Sequence, residues 1–257
     1  NPKLEPDPLS DDRKILDVRR IFRLNANYAK PCITRDKIDI APGGHFANHP
    51  TLHLDPHLYL FHLRFIDQVL GKKDGVTNYA AMNILLLEGR TVALVDTHVN
   101  DDPTAEQIAE FTVLAAEEMR RLDLEPKVAL LSRSNFGSDS SASGKKMRQA
   151  LELIRAAAPE LEVDGEMHGD CALDAALRQR LLPSSPLQGS ANLLVCPNVD
   201  AGNIAYNLLK TAAGSNVAVG PFLLGTRAPV HILTSSSTVR RIVNMTALTI
   251  IDANRTE

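Results

Sequence analysis

The sequence between residues 191 and 206 reads Ala-Asn-Leu-Leu-Val-Cys-Pro-Asn-Val-Asp-Ala-Gly-Asn-Ile-Ala-Tyr. Its first five residues are apolar apart from Asn192, and its last three begin a helix-like run that continues to Lys210. The pattern predicts a strand, a turn and a helix, with Asp200, Gly202 and Asn203 in the turn. Glycine permits a tight turn or a close approach to a ligand, and Asp200 or Asn203 can cap the helix. Since a helix N-terminus favours anionic groups, this turn is a candidate site for an anionic ligand.

Short apolar runs and helical patterns alternate in the same way from about residue 72 onward. The helix over 103–122 is predicted to begin with Asp102 as its cap and Pro103 in its first position. This alternation indicates an α/β fold, a mostly parallel sheet between two layers of helices, with ligands at the carboxyl ends of the strands. The predicted strands are 91–96, 127–132, 161–167, 191–196, 217–224 and 230–233, and the predicted helices are 103–122, 145–158, 171–182, 204–211 and 238–252.

Composition excludes several classes of function. The chain has 257 residues, 44% of them hydrophobic, and a net charge of −3, without a basic stripe, so nucleic acid is not an expected partner. No apolar run reaches the roughly 20 residues that span a bilayer, so no membrane association is expected. Cys32, Cys171 and Cys196 are too few and too widely spaced for a disulfide framework or a zinc motif, which favours the cytoplasm.

Residues 1–65 differ from the rest in being rich in Pro, His and Asp, and we predict a boundary between them and a domain at 66–257. His45, His49, His53 and His57 recur every fourth residue, a spacing that on a helix would align metal ligands. Glycines at 43 and 44 and prolines at 50 and 56 interrupt any such helix, so no metal site is expected. The sequence leaves open whether this arrangement reflects a fusion or a fragment.

Four loops follow predicted strands, and each is rich in Ser, Thr, Asn, Gly or Asp. They cover residues 97–100, 132–138, 198–203 and 234–238. Hydroxyls and free backbone N–H groups of this kind can bind a phosphate group. The alternative is that loops before helices are polar because turns and caps need these residues.

The order and detail of these segments resemble phosphate acetyltransferases (phosphotransacetylases) over about residues 72–254. The resemblance is closest to the phosphotransacetylase-like domain at the C-terminus of bacterial NADP-dependent malic enzymes, with Asn135-Phe136-Gly137, Glu166-Met167-His168-Gly169-Asp170 and Ile242-Val243-Asn244-Met245-Thr246 typical of it. The shared segments are 96–100, Asp-Thr-His-Val-Asn, followed by 102–107, 129–138, 162–167, 197–203, 219–225 and 239–251.

This resemblance implies an isocitrate/isopropylmalate dehydrogenase-like fold and a regulatory domain that binds acetyl-CoA or coenzyme A. It also implies a homo-oligomer, with NADP and a divalent metal bound only by a separate catalytic part of the parent enzyme. No dinucleotide G-x-G-x-x-G fingerprint for such a part occurs in this sequence. The ligand contacts that it implies are Ser132, Asn135, Gly137, Ser138, Asp200, Gly202, Asn203, Thr234 and Ser235.

The chain departs from active phosphotransacetylases at the end of this pattern. The family carries a Ser-Arg pair before the last helix, thought to stabilise the transition state, and then an Asp thought to act as base. Alignment on the last helix puts Thr234, Ser235 and Arg241 at those positions. A serine cannot supply a fixed positive charge and an arginine cannot accept a proton, so we expect no acetyl transfer.

Two alternatives remain open for the function of the domain: an active phosphate acetyltransferase that uses acetyl phosphate and coenzyme A, and a structural oligomerisation module. Arg241 itself has two interpretations, a partner for a coenzyme A phosphate or a solvated charge on the helix.

Overall fold

The computed structural model describes residues 66–212, 218–231 and 239–255. Contacts within the chain group Lys72–Ile232 with Val239–Glu257 in one compact unit, which contains every strand and helix discussed below. Residues 66–71 belong to a separate unit and contain one helical turn at 66–69. The predicted boundary at residue 65 stays a prediction, and the histidines at 45, 49, 53 and 57 lie outside the described residues.

The unit has six strands and six helices among the described residues. The strands are β1 (Ala80–Leu87), β2 (Arg90–Val95), β3 (Lys127–Leu131), β4 (Glu162–Met167), β5 (Leu193–Val195) and β6 (Ala218–Leu224). The helices are α1 (Ala105–Arg121), α2 (Ala142–Ala157), α3 (Gly169–Leu173), α4 (Ala175–Leu181), α5 (Val199–Ala212) and α6 (Val239–Arg255).

All six strands form one sheet in the order β4-β3-β5-β2-β1-β6. The pairs β4–β3, β3–β5 and β5–β2 are parallel, whereas β1 runs antiparallel to both β2 and β6. The predicted α/β class and mostly parallel sheet are therefore confirmed. The antiparallel strand β1 was absent from the predicted strands, because its sequence, Ala-Ala-Met-Asn-Ile-Leu-Leu-Leu, lacks the alternation of a half-buried strand and does not distinguish a buried strand from a buried helix.

Alternate residues of the central strands enter two separate apolar clusters, as the twofold period of a strand requires. Ala93 and Val95 of β2 pack on the side of α1, α2 and α6, whereas Val92 and Leu94 pack on the side of α3 and α5. This arrangement gives the three predicted layers. It also leaves the carboxyl ends of β2, β5 and β3 next to one another at one edge of the sheet.

Some predicted boundaries are wrong. Helix α1 begins at Ala105, and its cap is Thr104, not Asp102: the Thr104 hydroxyl accepts a hydrogen bond from the Gln107 N–H, and the Gln107 side chain accepts one from the Thr104 N–H. This reciprocal capping box outweighs the preference of proline for the first helical position. The helix predicted over 171–182 is two helices, because the Asp174 side chain caps α4 through the N–H groups of residues 176 and 177.

The strand predicted over 230–233 is also wrong within the described residues, where His231 forms only an isolated bridge with Phe222. No helix in the described part of the chain has the length and apolar character needed to cross a membrane.

Candidate functional site

Three polar loops meet at the carboxyl edge of the sheet, after β2, β3 and β5. Lys146, in the first turns of α2, links two of them: its Nζ donates to the Pro197 carbonyl at 2.9 Å and pairs with the Asp102 carboxylate. The Val199 N–H donates to the Asp101 carbonyl at 3.3 Å. The fourth predicted loop, residues 234–238, lies outside the described residues, and with it Thr234 and Ser235.

Asp96 organises the loop after β2. Its carboxylate is buried and accepts hydrogen bonds from the N–H groups of Ala81, His98, Val99 and Asn100 and from the Asn100 side-chain amide, at 2.6–3.1 Å. This number of donors satisfies both carboxylate oxygens, as a buried charge requires. The residue therefore shapes the loop and has no oxygen left for a ligand.

The next residue, Thr97, is the centre of a buried polar group. Its hydroxyl accepts from the Asn83 side-chain amide at 2.8 Å and lies 2.8 Å from His98 Nδ1. The Asn203 amide reaches the Thr97 carbonyl at 3.3 Å, which ties α5 to the end of β2. Asn83 Oδ1 is buried, and no hydrogen-bond partner for it exists among the described residues.

The turn predicted to contain Asp200, Gly202 and Asn203 is wrong, because α5 already begins at Val199 and all three lie in its first turns. The cap is Asn198, whose side-chain oxygen accepts from the Ala201 N–H at 2.9 Å. Gly202 does allow a close approach, but the approach is between α5 and the backbone at Asp96 and not to a ligand. A Cβ at position 202 would lie 2.1 Å from the Asp96 carbonyl oxygen. Exposed Asp200 and half-buried Asn203 remain on the surface of the edge.

The loop after β3 closes around Glu166, a fully buried carboxylate of β4. Glu166 Oε1 accepts from the Ser134 hydroxyl, from the Gly137 N–H at 2.9 Å and from Arg148 Nη1 at 2.8 Å. Its second oxygen is buried and makes no hydrogen bond to any described residue. Sequence analysis identified this loop but did not identify Glu166 and Ser134 as its centre. Both residues belong to motifs of the sequence, but a motif does not indicate which of its side chains is buried.

The predicted ligand residues of this loop hold the loop together. The Ser132 hydroxyl accepts from the Ser134 N–H at 3.1 Å, and the Ser138 hydroxyl accepts from the Asn135 N–H at 2.9 Å. Asn135 Oδ1 in turn accepts from the His168 N–H at 2.8 Å. Gly137 and Ser138 are nevertheless exposed. The residues of this loop and the first turns of α5 therefore form two polar surfaces along the same edge of the sheet. The role of these residues as ligand contacts stays a prediction.

Sequence analysis did not single out His98 and Tyr206, which meet near the end of β2, and the charge of Arg241 acts on both. The Arg241 Nε donates to the Gly220 carbonyl at 3.0 Å, and its Nη2 donates to the same oxygen. The His98 and Tyr206 rings meet edge to face, with centroids 6.4 Å apart. Burial lowers the pKa of His98, the Asp96 charge raises it in part, and the positive charge of Arg241 lowers it further. Burial raises the pKa of Tyr206, while Arg241 opposes that rise.

These features, a mixed sheet with polar loops at the carboxyl ends of its parallel strands, define an α/β domain with a candidate ligand-binding edge. Residues 56–250 match the model of the family described as Phosphate acetyl/butaryl transferase, and the chain belongs to this family. The resemblance inferred from the sequence is thereby confirmed.

The chain is similar to proteins of two kinds, malic enzymes and phosphate acetyltransferases. The NADP-dependent malic enzyme of Escherichia coli is 53% identical over 76% of this chain, which covers 26% of that enzyme. The phosphate acetyltransferase of Paracoccus denitrificans is 41% identical over 71% of this chain and 59% of its own length. A phosphotransacetylase structure from Streptococcus pyogenes superposes with a TM-score of 0.71 at 30% identity, covering 75% of this chain and 59% of that structure. The chain thus spans about a quarter of the malic enzymes that it matches.

Proposed function

We propose that this domain is a non-catalytic regulatory module that binds acetyl-CoA within an NADP-dependent malic enzyme. The residue that carries the proposal is Arg241: alignment on the last helix assigns it to the position of the family's base, and its guanidinium donates to the Gly220 carbonyl. A guanidinium stays protonated at all physiological pH values and cannot take the proton of a thiol. A domain with this substitution keeps the polar edge of an acetyltransferase but lacks its proton acceptor.

The ligand-binding role rests on the polar carboxyl edge. The exposed backbone of Gly137 and the side chains of Ser138, Asp200 and Asn203 border it, and the N-terminus of α5 opens onto it. Oriented N–H groups and a helix dipole favour phosphate groups such as those of coenzyme A. The full proposed contact set remains Ser132, Asn135, Gly137, Ser138, Asp200, Gly202, Asn203, Thr234 and Ser235.

In the whole enzyme, NADP and a divalent metal would be bound by a separate catalytic part. Acetyl-CoA regulates that part only if it binds one of two global states more tightly than the other. The buried free thiols of Cys171 and Cys196 suit a reducing compartment, and we place the domain in the cytoplasm.

The test is isothermal titration of acetyl-CoA into the purified chain, with free coenzyme A and acetyl phosphate as controls and a parallel assay of acetyl transfer. Micromolar binding without turnover is the expected result. Turnover of acetyl phosphate would replace the proposal with an active phosphate acetyltransferase. A lack of binding by all three compounds would contradict the ligand-binding role itself.

Exposed apolar residues favour homo-oligomerisation as a second function of the domain. Ile204 and Leu208 lie one turn apart on α5, and α6 exposes Val239, Val243 and Ile250. Analytical ultracentrifugation should show a dimer or larger assembly that Leu208→Glu weakens. Leu181→Glu, at another exposed leucine, on α4, should leave the assembly unchanged. A wild-type monomer at micromolar concentration would contradict this function.

A further inference from the structure

A groove lies between α1, α2 and the segment that leads into β1, and we refer to it as the α1–α2 groove. Its volume is about 530 Å³. Its apolar lining comes from all three elements and consists of Val76, Ala109, Val113, Leu114, Leu153 and Ala157. Val76, Val113 and Leu153 are only half-buried, because they cover the apolar core on one side and face the groove on the other. The apolar surface of the groove is therefore accessible to a partner.

Every charged residue among the described residues that line the groove is acidic. These residues are Asp74, Glu106, Glu110 and Glu117. Three of them lie on α1 at intervals of four and seven residues, with Val113 between the second and the third. Because residues at this spacing share one helix face, α1 presents a row of carboxylates beside an apolar side chain along the groove.

Glu106 and Glu110 carry their negative charges at neutral pH. Hydrogen bonds from its own backbone N–H and from Thr104 lower the pKa of Glu106. Burial raises the pKa of Glu110, but hydrogen bonds from Thr77 and Asn78 outweigh burial and leave that pKa lowered. No lysine or arginine in the described part of the chain forms an ion pair with either glutamate. A cation from outside the domain can therefore approach both carboxylates without displacing one.

The other two acids form exposed ion pairs. Glu117 lies 3.7 Å from Lys73 Nζ, and Asp74 lies 3.2 Å from Nη2 of Arg227. Exposed pairs of this kind contribute little to stability, so the cations of a partner can join or replace them at little cost. On α1 itself, two of the carboxylates are only four residues apart, an arrangement of like charges that destabilises a helix and that a nearby cation relieves.

The shape of the groove favours a helix as its occupant. Glu106 and Glu117 are eleven residues apart along α1, a distance of about 16 Å, which three turns of a second helix match. None of the strand residues that the structure describes lines the groove, so a bound segment finds no sheet edge to extend. The backbone groups of that segment must then bond to one another, as they do in a helix.

We propose that the α1–α2 groove is a docking site for a basic amphipathic helix of a partner protein. The apolar face of that helix packs on Val113 and Leu153, and its flanking lysines or arginines lie beside Glu106, Glu110 and Glu117. The proposal does not depend on acetyl-CoA binding, because none of the proposed ligand contacts that the structure describes lines the groove.

The probe for this site is a fluorescein-labelled synthetic peptide of about twelve residues, or three helical turns, with leucines at positions i, i+3, i+4 and i+7 and lysines elsewhere. Fluorescence anisotropy measures its binding to the full chain of 257 residues. Saturable binding is the expected result, and the affinity should fall roughly tenfold between about 0.02 M and about 0.3 M salt. A peptide with glutamates in place of the lysines should not bind.

Glu106→Gln together with Glu117→Gln should weaken peptide binding roughly fivefold, because two charged contacts are lost while the shape of the side chains is kept. Both glutamates are exposed, so these substitutions do not disturb the core. The matched control is Glu152→Gln together with Glu160→Gln, which removes the same net charge from exposed positions outside the groove. This control should change the affinity less than about twofold, because salt screens distant charges.

Val113→Thr tests the apolar contact, since threonine keeps the shape of valine but replaces a methyl group with a hydroxyl. Peptide binding should weaken at low and at high salt alike, and thermal unfolding checks that each variant is folded. The paired glutamate substitutions decide the question if Val113→Thr does not fold.

An equal loss of affinity in the glutamate pair and in its control would overturn the proposal, because the attraction would then be non-specific. A wild-type chain that does not bind the lysine peptide would overturn it too. If the groove substitutions weaken self-association in sedimentation experiments and leave peptide binding intact, the occupant is a second copy of this chain and the proposed basic helix is wrong.

Discussion

Gly202 shows how one missing side chain positions α5 against the sheet. Replacing a helical glycine with alanine ordinarily stabilises a helix by about 1 kcal/mol. Here the added Cβ would lie 2.1 Å from the carbonyl oxygen of Asp96 and 3.1 Å from its carbon, both backbone atoms. We therefore expect Gly202→Ala to lower the free energy of unfolding by roughly 2–4 kcal/mol, measured by urea denaturation.

Gly169→Ala is the matched control for this prediction, because Gly169 is also helical and a Cβ there meets no atom within 4 Å. Its unfolding free energy should stay within about 0.5 kcal/mol of wild type or rise slightly. Equal effects of the two substitutions would mean that α5 can move away from Asp96 at little cost.

The two cysteines among the described residues should be inert in the folded protein. Burial, reinforced by the negative charge of Asp96, raises the pKa of Cys196 to about 12, and burial also raises the pKa of Cys171. Only the thiolate reacts with disulfide reagents. In a Cys32→Ser background, Ellman's reagent at pH 8 should label neither thiol in the folded chain and both in urea; rapid labelling without urea would contradict their burial.

At the scale of elements, Arg178 connects α4 to its surroundings. Its guanidinium is fully buried and donates to the carbonyls of Cys171 and Ala172 on α3 and of Leu187 and Gly189 in the segment before β5. Arg178→Met should cost about 3 kcal/mol of unfolding free energy, because several carbonyls lose their buried donor. Arg180→Met, at an exposed position of the same helix, should have almost no effect in the same urea titration.

Strong apolar runs such as those of β2, β3 and β5 were predictable because burial on both faces demands them. Helix starts were less predictable where two caps compete, as at Asp102 and Thr104 or at Asn198 and Asp200. The choice depends on reciprocal hydrogen bonds that only the folded geometry decides.

The sequence predicts where the candidate site lies in the fold, but not which side chains contact one another there. The order of strands and helices predicts that polar loops gather at the carboxyl edge of the sheet. It does not predict that Arg178 is buried, or that the His98 and Tyr206 rings meet, because these contacts depend on how the elements pack in three dimensions. Arg241 was notable in the sequence only for its departure from the family pattern.

For the whole molecule, ionisable groups predict two separate losses of stability on acidification. The first concerns His98, whose folded-state pKa is lowered from 6.5 by burial, in part opposed by Asp96 and reinforced by Arg241. The unfolded chain then binds a proton at a higher pH than the folded chain does. Stability must therefore fall as the pH drops through 6.5 to the lower folded-state value, and no further loss comes from this group below it.

The second loss concerns Glu110. Burial raises its pKa, but hydrogen bonds from Thr77 and Asn78 outweigh burial and leave the pKa lowered from 4.5. A lowered carboxyl pKa stabilises the folded state above 4.5, and this contribution disappears as the pH falls through the folded-state value. The two losses therefore occupy different pH ranges.

Urea denaturation from pH 8 to pH 3 tests both assignments, with each variant as the control for the other. His98→Gln should remove the loss near neutral pH and keep the acidic one. Glu110→Gln should keep the upper loss and reduce the acidic one, to which Glu106 and Asp139, whose pKa values are also lowered, contribute as well. If His98→Gln leaves the upper loss unchanged, His98 is not held neutral by its surroundings.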